Sequence, residues 1–266
     1  MFFLRKHLTL GVVELLYWKW VLESHIGRSV SLSMSQKATV IIPSYSEKRV
    51  RNLRPLVRSL LKCDFVEKVI VSNNNPRIRI RDRIGIDDSR VVIFDQPVRR
   101  GPGYGWILAS KEKADYVIAI DDDLLISPKQ LAMLFQQLVE HPEAPHGLLG
   151  CDSDGTYVKR QEAEVASLYN IYAVTGAHIR TYLEHTRGMT ARGYVTQETV
   201  EFWSCDMVIS QSGMCQPRIH DAGFVLQCIT HDRPGVALWK DSRFRQQRKE
   251  VYRALEKVRT GSHGTE

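Results

Sequence analysis

The chain has 266 residues, of which 43% are hydrophobic and 25% charged, a composition that suits one large globular domain or two small ones. A net charge of +7 favours an anionic partner such as a nucleotide, a phospholipid or an acidic glycan. The sequence contains no helix-turn-helix, RNA-binding or zinc-finger pattern, so we expect no nucleic-acid partner. The five cysteines form no CxxC pair, which indicates neither a disulfide framework nor a zinc site and favours a cytoplasmic location.

The first 25 residues are rich in apolar and aromatic side chains but are interrupted by charges. Their longest uncharged stretch, residues 8–13, is far shorter than the roughly 20 residues that a membrane-spanning helix needs. Residues 1–36 are therefore predicted to be an N-terminal helix and a linker. The helix either packs on the domain, which we favour, or makes peripheral contact with a membrane through residues 1–25 and their aromatic side chains Tyr17, Trp18 and Trp20.

From residue 38 onward, apolar runs alternate with helical patterns. Strands are predicted over residues 38–43, 66–72, 90–94, 116–120, 147–151, 168–174 and 222–230. Helices are predicted over residues 47–62, 106–113, 175–186, 197–211 and 239–258, with one more that begins after a cap at Ser127. This alternation predicts an α/β fold with a mostly parallel, Rossmann-like sheet and helices on both faces.

Three consecutive carboxylates follow the fourth predicted strand. The strand is apolar throughout, as is typical of a strand buried on both faces, and Asp121, Asp122 and Asp123 come directly after it. Adjacent carboxylates repel and stay ionised only beside a cation, and their hard oxygens suit Mg²⁺ or Mn²⁺. A solvated acidic loop is the alternative. Ligands of open α/β sheets bind beyond the carboxyl ends of the strands, which favours a metal site.

The ends of the first three strands bring further polar side chains to the same edge. They are Ser44 and Tyr45, then Asn73 and Asn74, then Arg99 and Arg100. An Asn amide offers a donor and an acceptor together, which suits a nucleobase, and paired arginines bind phosphate. Together with the acid triplet they predict a site for a nucleoside diphosphate held through a cation. His231, after the last predicted strand, is a candidate to complete the metal shell.

Three other function classes were weighed. A nucleotidyltransferase shares the sheet and the metal, but residues 44–50 lack the Gly-rich basic stretch that usually follows the first strand. A haloacid-dehalogenase-type phosphatase places its aspartates after the first strand, whereas this triplet follows the fourth. A non-enzymatic module that binds an anionic lipid or glycan is consistent with the basic charge and the aromatic N-terminus.

The four strand ends resemble those of the GT-A glycosyltransferases, most closely the exostosin-like hexosaminyltransferases of family 64. The likeness covers residues 38–149 and is carried by ATVIIPSYSEKRVRNLRPLVRSL, VEKVIVSNN, RVVIFDQP with the arginine pair, and ADYVIAIDDDLLISPKQLAMLF, which contains a three-Asp version of the DxD motif. The resemblance implies a GT-A fold, a UDP-sugar donor and Mn²⁺ (or Mg²⁺). It also implies transfer of a hexose or N-acetylhexosamine, with retention, to a glycan or lipid-linked acceptor.

The resemblance also assigns roles to residues. Asp123 would bind the metal directly, with Asp121 and His231 as further ligands. Asp121 and Asp122 would lie near the ribose and diphosphate. The asparagine pair would lie by the uracil, and the arginine pair by the donor.

The second half resembles the family less closely. The family has paired acids after a Cys at a helix start, where this sequence offers only Asp206 after Cys205. Asp206 is predicted to be the carboxylate near the anomeric carbon, with Glu201 as a substitute. Arg243 would reach the donor phosphates from the C-terminal segment. On this basis residues 37–150 form the nucleotide-sugar-binding half of one domain and residues 151–266 its acceptor-binding half.

Overall fold

The computed structural model describes residues 2–153, 155–231 and 233–261, with the backbone alone for residues 2–10. Residues 262–266 of the predicted acceptor-binding half lie outside the described residues, as do the side chains of residues 1–10 of the predicted membrane contact. The helices are α1 (Phe2–Ile26), α2 (Val50–Leu61), α3 (Arg81–Ile84), α4 (Tyr104–Glu112), α5 (Pro128–Glu140), α6 (Gly176–Ala191), α7 (Gln197–Trp203), α8 (Cys205–Ser210) and α9 (Phe244–Arg259). Short 3₁₀ helices span Glu47–Arg49 and Leu238–Lys240.

The strands are β1 (Ala38–Ser44), β2 (Val66–Asn73), β3 (Val91–Asp95), β4 (Tyr116–Ile120), β5 (Leu124–Leu125), β6 (His146–Gly147), β7 (Leu149–Cys151), β8 (Tyr157–Lys159), β9 (Ala163–Glu164), β10 (Ser167–Leu168), β11 (Ile171–Thr175), β12 (Arg218–Ile219) and β13 (Leu226–Gln227). In the described part of the chain, eight of them form the main sheet in the order β3-β2-β1-β4-β11-β6-β12-β9. β1 pairs in parallel with β2 and β4, and β11 runs antiparallel to β4. The predicted mostly parallel α/β sheet is confirmed.

Alternate residues of β1 pack into two hydrophobic cores, one on each face of the sheet. Val40 and Ile42 pack with α1, α2 and α5, whereas Ile41 packs with α4, α6, α8 and α9. A strand covered on both faces has to be apolar at every position, which explains the continuous hydrophobic run in the sequence. The same rule holds for β4, whose buried end delivers the acid triplet.

The start of α5 follows the predicted cap. The Ser127 hydroxyl accepts from the Gln130 backbone N–H, the Gln130 side chain accepts from the Ser127 backbone N–H, and Pro128 occupies the first turn. This capping box satisfies backbone donors that would otherwise be unpaired at the helix start. It therefore fixes where the chain leaves the acid triplet.

The prediction of a last strand over residues 222–230 is wrong. Only β13 is a strand there, and it pairs with β5 rather than with the main sheet. Gly223 adopts a positive φ of 75° and Phe224 is exposed, so the segment cannot continue as a buried strand. The short β13–β5 pair nevertheless brings this segment against the acid triplet.

Other predicted elements are divided, among them the strand over 168–174, which breaks at Asn170 into β10 and β11. The helix over 197–211 breaks at Ser204, where φ is −151°, and becomes α7 and α8. The strand over 147–151 splits into β6, which joins the main sheet, and β7, which pairs with β8 and β10. Residues of α7 and α8 pack in the core that contains Ile41, whereas Leu149 of β7 packs in the core that contains Val40.

The N-terminal helix packs on α2 and on the loop before α5. Tyr17 and Trp20 are buried, and the Trp20 indole N–H donates to Ile126 O at 3.1 Å. Among the described residues, no helix is both long enough and apolar enough to span a bilayer.

Candidate active site

The acid triplet lies at the carboxyl edge of the main sheet, in the turn between β4 and β5. Asp122 and Asp123 are buried, and Asp121 is partly exposed. The backbone of the turn is fixed by two hydrogen bonds, from Asp121 N to Asn170 O at 2.8 Å and from Cys228 N to Asp123 O at 2.9 Å. The three carboxylates are therefore held together where little water can screen them.

The cation beside these carboxylates is Arg49, for which the sequence predicted no role. Its Nη1 donates to Asp122 Oδ1 at 3.2 Å, and its Nη2 lies 2.8 Å from Asp123 Oδ2. Burial lowers the pKa of Arg49, but the two aspartates outweigh it and raise the pKa overall. Arg49 also donates to Thr230 O at 3.2 Å, so it ties the triplet to the segment before His231. A basic residue in the turn after β1 is the only sequence feature that could have indicated it.

One guanidinium does not balance three adjacent carboxylates. Burial first, and then the charges of Asp123 and Asp122, raise the pKa of Asp121 well above its usual value. Burial also raises the pKa of Asp122 to about 6, although Arg49 opposes the shift. The charged forms of Asp121 and Asp122 would therefore be stabilised by a further cation.

A second group of side chains holds the triplet from the other side. Asn170 Nδ2 donates to Asp121 Oδ2 at 3.1 Å and to Asp123 Oδ1 at 3.2 Å, and its own oxygen accepts from Gln227 Nε2. Asn170 has a φ of 64°, a conformation that Asn tolerates better than most residues. His231 Nδ1 lies 3.3 Å from Asp123 Oδ2. The sequence predicted His231 here but not Asn170, whose position between two short strands gave no indication.

The donor set fits a divalent cation by chemistry and charge, but its geometry is not assembled. Carboxylate oxygens with one imidazole are ligands that Mn²⁺ and Mg²⁺ accept. Burial raises the pKa values of Asp121 and Asp122, so a bound cation would stabilise their ionised forms. Within residues 2–153, 155–231 and 233–261, however, no three His, Cys, Asp or Glu side chains are grouped so as to hold a metal. Arg49 provides the charge compensation for Asp122 and Asp123 in this arrangement.

Ser44 and Tyr45 lie at the same edge. Ser44 is buried and its hydroxyl donates to Asp122 Oδ2 at 2.8 Å, so it positions the carboxylate. Tyr45 is 43% exposed, and its ring is available to a ligand. With Ser44 and Arg49 both on Asp122, the oxygens of this aspartate are already hydrogen-bonded.

The asparagine pair is buried and largely used within the protein. Asn73 Nδ2 donates to Ile78 O at 2.6 Å and to Asp95 Oδ1 at 2.8 Å. Asn74 Nδ2 donates to Gly101 O at 3.0 Å, and its oxygen accepts from the Ser72 hydroxyl. Both side chains therefore shape the edge of the sheet, and the exposed Asp95 beside Asn73 is the more accessible hydrogen-bonding group.

The arginine pair divides into an exposed and a partly buried member. The guanidinium of exposed Arg99 lies between two rings, 5.2 Å from the centroid of Tyr45 and 4.9 Å from that of Phe202. Arg100 stacks on Tyr104 at 4.4 Å, and its Nε is buried without a hydrogen-bond partner among the described residues. Arg99 thus makes cation–π contacts with two aromatic rings while its charge stays open to solvent.

Glu201, predicted as a substitute catalytic acid, fastens the loop that follows the arginine pair. It is buried and accepts from Gly101 N at 2.7 Å, and its second oxygen lies 3.6 Å from Arg100 Nη1. Gly103 N donates to Glu201 O. A Cβ added to Gly101 would lie 2.6 Å from that same oxygen. Glycine is therefore required here by the approach of α7, and Glu201 acts on the loop.

Asp206 and Arg243 occupy different positions relative to the triplet. Both oxygens of Asp206 accept from Arg248 Nη1, at 2.6 and 2.8 Å, and Asp206 is close enough to Asp121 to raise its pKa. Arg243 is exposed, pairs with Asp241 at 3.0 Å and stacks on Trp203 at 5.1 Å. Asp206 therefore belongs to the triplet's surroundings, whereas Arg243 lies on the surface segment that precedes α9. Arg248, which the sequence did not single out, neutralises Asp206.

Solved structures share this fold at low sequence identity. The chain is similar to GalNAc-T7 with UDP, GalNAc and Mn²⁺ (11% identity, TM-score 0.52), covering 72% of this chain and 43% of that one. It is also similar to S. aureus TarS 1-349 in complex with UDP-GlcNAc (17% identity, TM-score 0.55), covering 84% of this chain and 66% of that one. The chain thus spans less than two thirds of either structure. No curated protein matches it.

A family profile also matches this chain by sequence. The profile of the family described as "Glycosyl transferase family 2" matches residues 39–197, from β1 to the start of α7. The predicted GT-A fold agrees with both kinds of comparison, whereas nothing in them supports the exostosin-like family specifically. The match covers more than half of the chain and includes the acid triplet and Asn170, so the chain belongs to glycosyl transferase family 2.

Proposed function

We propose that this chain transfers a hexose or N-acetylhexosamine from a UDP-sugar to a glycan or lipid-linked acceptor, with the help of Mn²⁺ or Mg²⁺. The observation that carries the proposal is the under-neutralised acid triplet at the carboxyl edge of the sheet, inside the segment that matches family 2. The printed descriptions of both similar structures name UDP or a UDP-sugar, and one also names Mn²⁺.

Asp123, Asp121 and His231 would hold the cation. Asn170 bridges the Asp121 and Asp123 carboxylates, and His231 contacts Asp123, so the three proposed ligands are neighbours at this edge of the sheet. When bound, the cation supplies Lewis-acid stabilisation of the negative charge that develops on the departing diphosphate. Ser44 and Arg49 favour the ionised form of Asp122 against burial and would hold it beside the ligand set.

The donor would bind along the ends of β1, β2 and β3. The exposed Arg99 and Tyr45 present a guanidinium and a ring to a diphosphate and a base, while Arg100 supports the loop. Asn73 and Asn74 set the shape of the edge, and Asp95 offers an accessible acceptor for a base N–H. These groups bind and orient the donor.

Asp206 remains the candidate for the carboxylate near the anomeric carbon. It forms an ion pair with Arg248 at 2.6 Å. A carboxylate in this position would stabilise positive charge on the sugar or accept the proton of the acceptor hydroxyl. Glu201 would act as a positioning residue for the Gly101 loop. Arg243 would take part only if the segment before α9 moved toward the donor.

The proposal also assigns donor binding and acceptor binding to different segments of the chain. Residues 37–150 would bind the donor and residues 151–266 the acceptor, with residues 1–36 as the N-terminal helix and linker. The pairing of β11 with β4 joins the two halves in one sheet and brings Asn170 to the triplet, which supports a single domain.

Hydrolysis of a panel of UDP-sugars tests the activity and identifies the donor. The purified chain with Mn²⁺ should release UDP from one or a few of them, and chelation should stop the release. Release that is unchanged by chelation would contradict the metal dependence, and no release from any donor would contradict the UDP-sugar assignment.

Retention, which the exostosin-like resemblance implies, is tested on the product. NMR of the transferred sugar should show the anomeric configuration of the donor. An inverted product would contradict this part of the proposal and leave the donor assignment intact.

A further inference from the structure

The outward face of α1 carries a line of exposed apolar side chains. Each is more than half exposed: Val12, Leu15, Trp18, Leu22 and Ile26. At 3.6 residues per turn, the last four fall within about 80° of the helix circumference and form a ridge about 17 Å long. Tyr17 and Trp20 point the other way and are buried. We call this line the apolar ridge.

A line of cations on α2 runs beside the apolar ridge. It consists of Arg51, Arg54, Arg58 and Lys62, which follow the helical spacing of one face. Arg54 and Arg58 line the same groove as Trp18, together with Arg83 of α3. We call Arg51, Arg54, Arg58, Lys62 and Arg83 the cationic stripe.

The cationic stripe is only weakly neutralised by the protein. Arg51 pairs with Glu14 at 2.8 Å, but Arg58 meets the ring of His25, and Lys62 donates to backbone oxygens at the end of α1. Among the described residues, Arg54 has no hydrogen-bond or ion-pair partner. Desolvation and neighbouring Arg54 lower the pKa of Arg58, as expected where cations are crowded. The stripe therefore attracts anions.

We propose that the apolar ridge and the cationic stripe together form a docking surface for an anionic lipid bilayer. Apolar and aromatic side chains enter the headgroup region, while neighbouring guanidinium groups meet the lipid phosphates. Trp18 stands at the junction, where an amphipathic ring is favoured. The surface lies outside the donor site, and the inference does not depend on the proposed transfer reaction.

The charge pattern favours a bilayer over a second copy of the chain. A symmetric dimer through the ridge buries the same patch on both subunits and brings two cationic stripes into one interface, where they repel. An anionic bilayer satisfies both features at once, because it offers phosphates beside an apolar interior.

Flotation of the full chain with vesicles tests the inference. We expect binding to phosphatidylcholine vesicles that contain phosphatidylglycerol and little binding to phosphatidylcholine alone, with weaker binding at high salt. Arg54→Gln with Arg58→Gln should reduce the partition onto anionic vesicles about 30-fold. Trp18→Ser with Leu22→Ser should reduce it about tenfold or more.

Matched variants elsewhere provide the controls. Arg245→Gln with Arg253→Gln removes two exposed charges from α9, and Met214→Ser removes an exposed apolar side chain; both should bind vesicles nearly as the wild type does. Equal loss in test and control variants would overturn the inference. So would equal binding to both kinds of vesicle, or a vesicle-free dimer that Trp18→Ser dissociates. UDP binding by the same proteins reports separately on the donor site.

Discussion

At the acid triplet, the positive charge of one arginine, Arg49, partly offsets the negative charges of the three aspartates. Arg49 contacts two of the three aspartates, and burial raises the pKa values of Asp121 and Asp122 despite the opposing charge of Arg49. The site therefore has a built-in counter-ion and a remaining demand for positive charge. Two substitutions separate these contributions.

Arg49→Ala should destabilise the metal-free protein by about 3 kcal/mol, because it leaves Asp122 and Asp123 buried without their counter-ion. Urea unfolding with and without Mn²⁺ measures the change, and Mn²⁺ should restore more stability to the variant than to the wild type. Arg253→Ala, at an exposed position, is the control and should change stability by less than about 0.5 kcal/mol. A loss no larger than that of the control would contradict the role given to Arg49.

Asp122→Asn should alter how stability depends on pH. The pKa of Asp122 is about 6 in the folded protein and about 3.8 in the unfolded chain, so its ionisation costs the wild type stability as the pH rises between these values. The free energy of unfolding of the variant, relative to the wild type, should thus rise by roughly 2–3 kcal/mol from pH 4 to pH 6 and then level off. Denaturant titrations across this range measure it, with the exposed Asp87→Asn as control. Parallel curves for wild type and variant would contradict the shifted pKa.

The sequence predicted those site residues that directly follow a recognisable strand. Asp121–Asp123 directly follow a fully apolar strand, so their place at the sheet edge follows from the strand itself. Arg49, Asn170 and Arg248 reach the site from a turn, a strand junction and a distant helix. Their positions at the site depend on how separate elements pack together, and no local sequence pattern predicts that packing.

Among the elements, the loop between β3 and α4 depends on close backbone contact with α7. Gly101 and Gly103 let the two backbones approach, and the Glu201 carboxylate holds Gly101 N. The same loop carries Arg99 and Arg100. Packing of α7 therefore controls where these guanidinium groups lie.

Gly101→Ala tests this contact. Its Cβ would lie 2.6 Å from Glu201 O, a backbone atom, so the loop has to shift. We expect a loss of stability of about 1–3 kcal/mol and weaker UDP binding, measured by thermal unfolding and calorimetry. Gly11→Ala, in α1 with nothing within 4 Å, is the control and should be neutral or stabilising by up to about 1 kcal/mol. Unchanged UDP binding by Gly101→Ala would show that the contact does not position the donor site.

Long elements with a clear period were predicted well, and short ones were not. The four parallel strands and α5 follow from continuous apolar runs and a capping box. The segment over 222–230 has the composition of a strand, yet Gly223 and the pairing of β13 with β5 make it mostly loop. Two-residue strands contain too few residues for a period to be read.

For the whole molecule, the topology explains why one edge carries the chemistry. Parallel strands β1, β2, β3 and β4 all end at this edge, and antiparallel β11 begins there, so Asn170 meets the triplet from the second half of the chain. The order of strands was predictable as a class from the alternation of elements. The antiparallel insertion of β11 was not, because its apolar run looks the same in either direction.

Calorimetric titration with UDP tests most directly whether the acid triplet binds UDP through a divalent cation. The wild type should bind UDP tightly only when Mn²⁺ is present. Asp123→Ala should lose that Mn²⁺-dependent binding, while the exposed Asp87→Ala retains it. Binding of UDP that is equally strong without Mn²⁺, or unchanged in Asp123→Ala, would contradict this mode of binding.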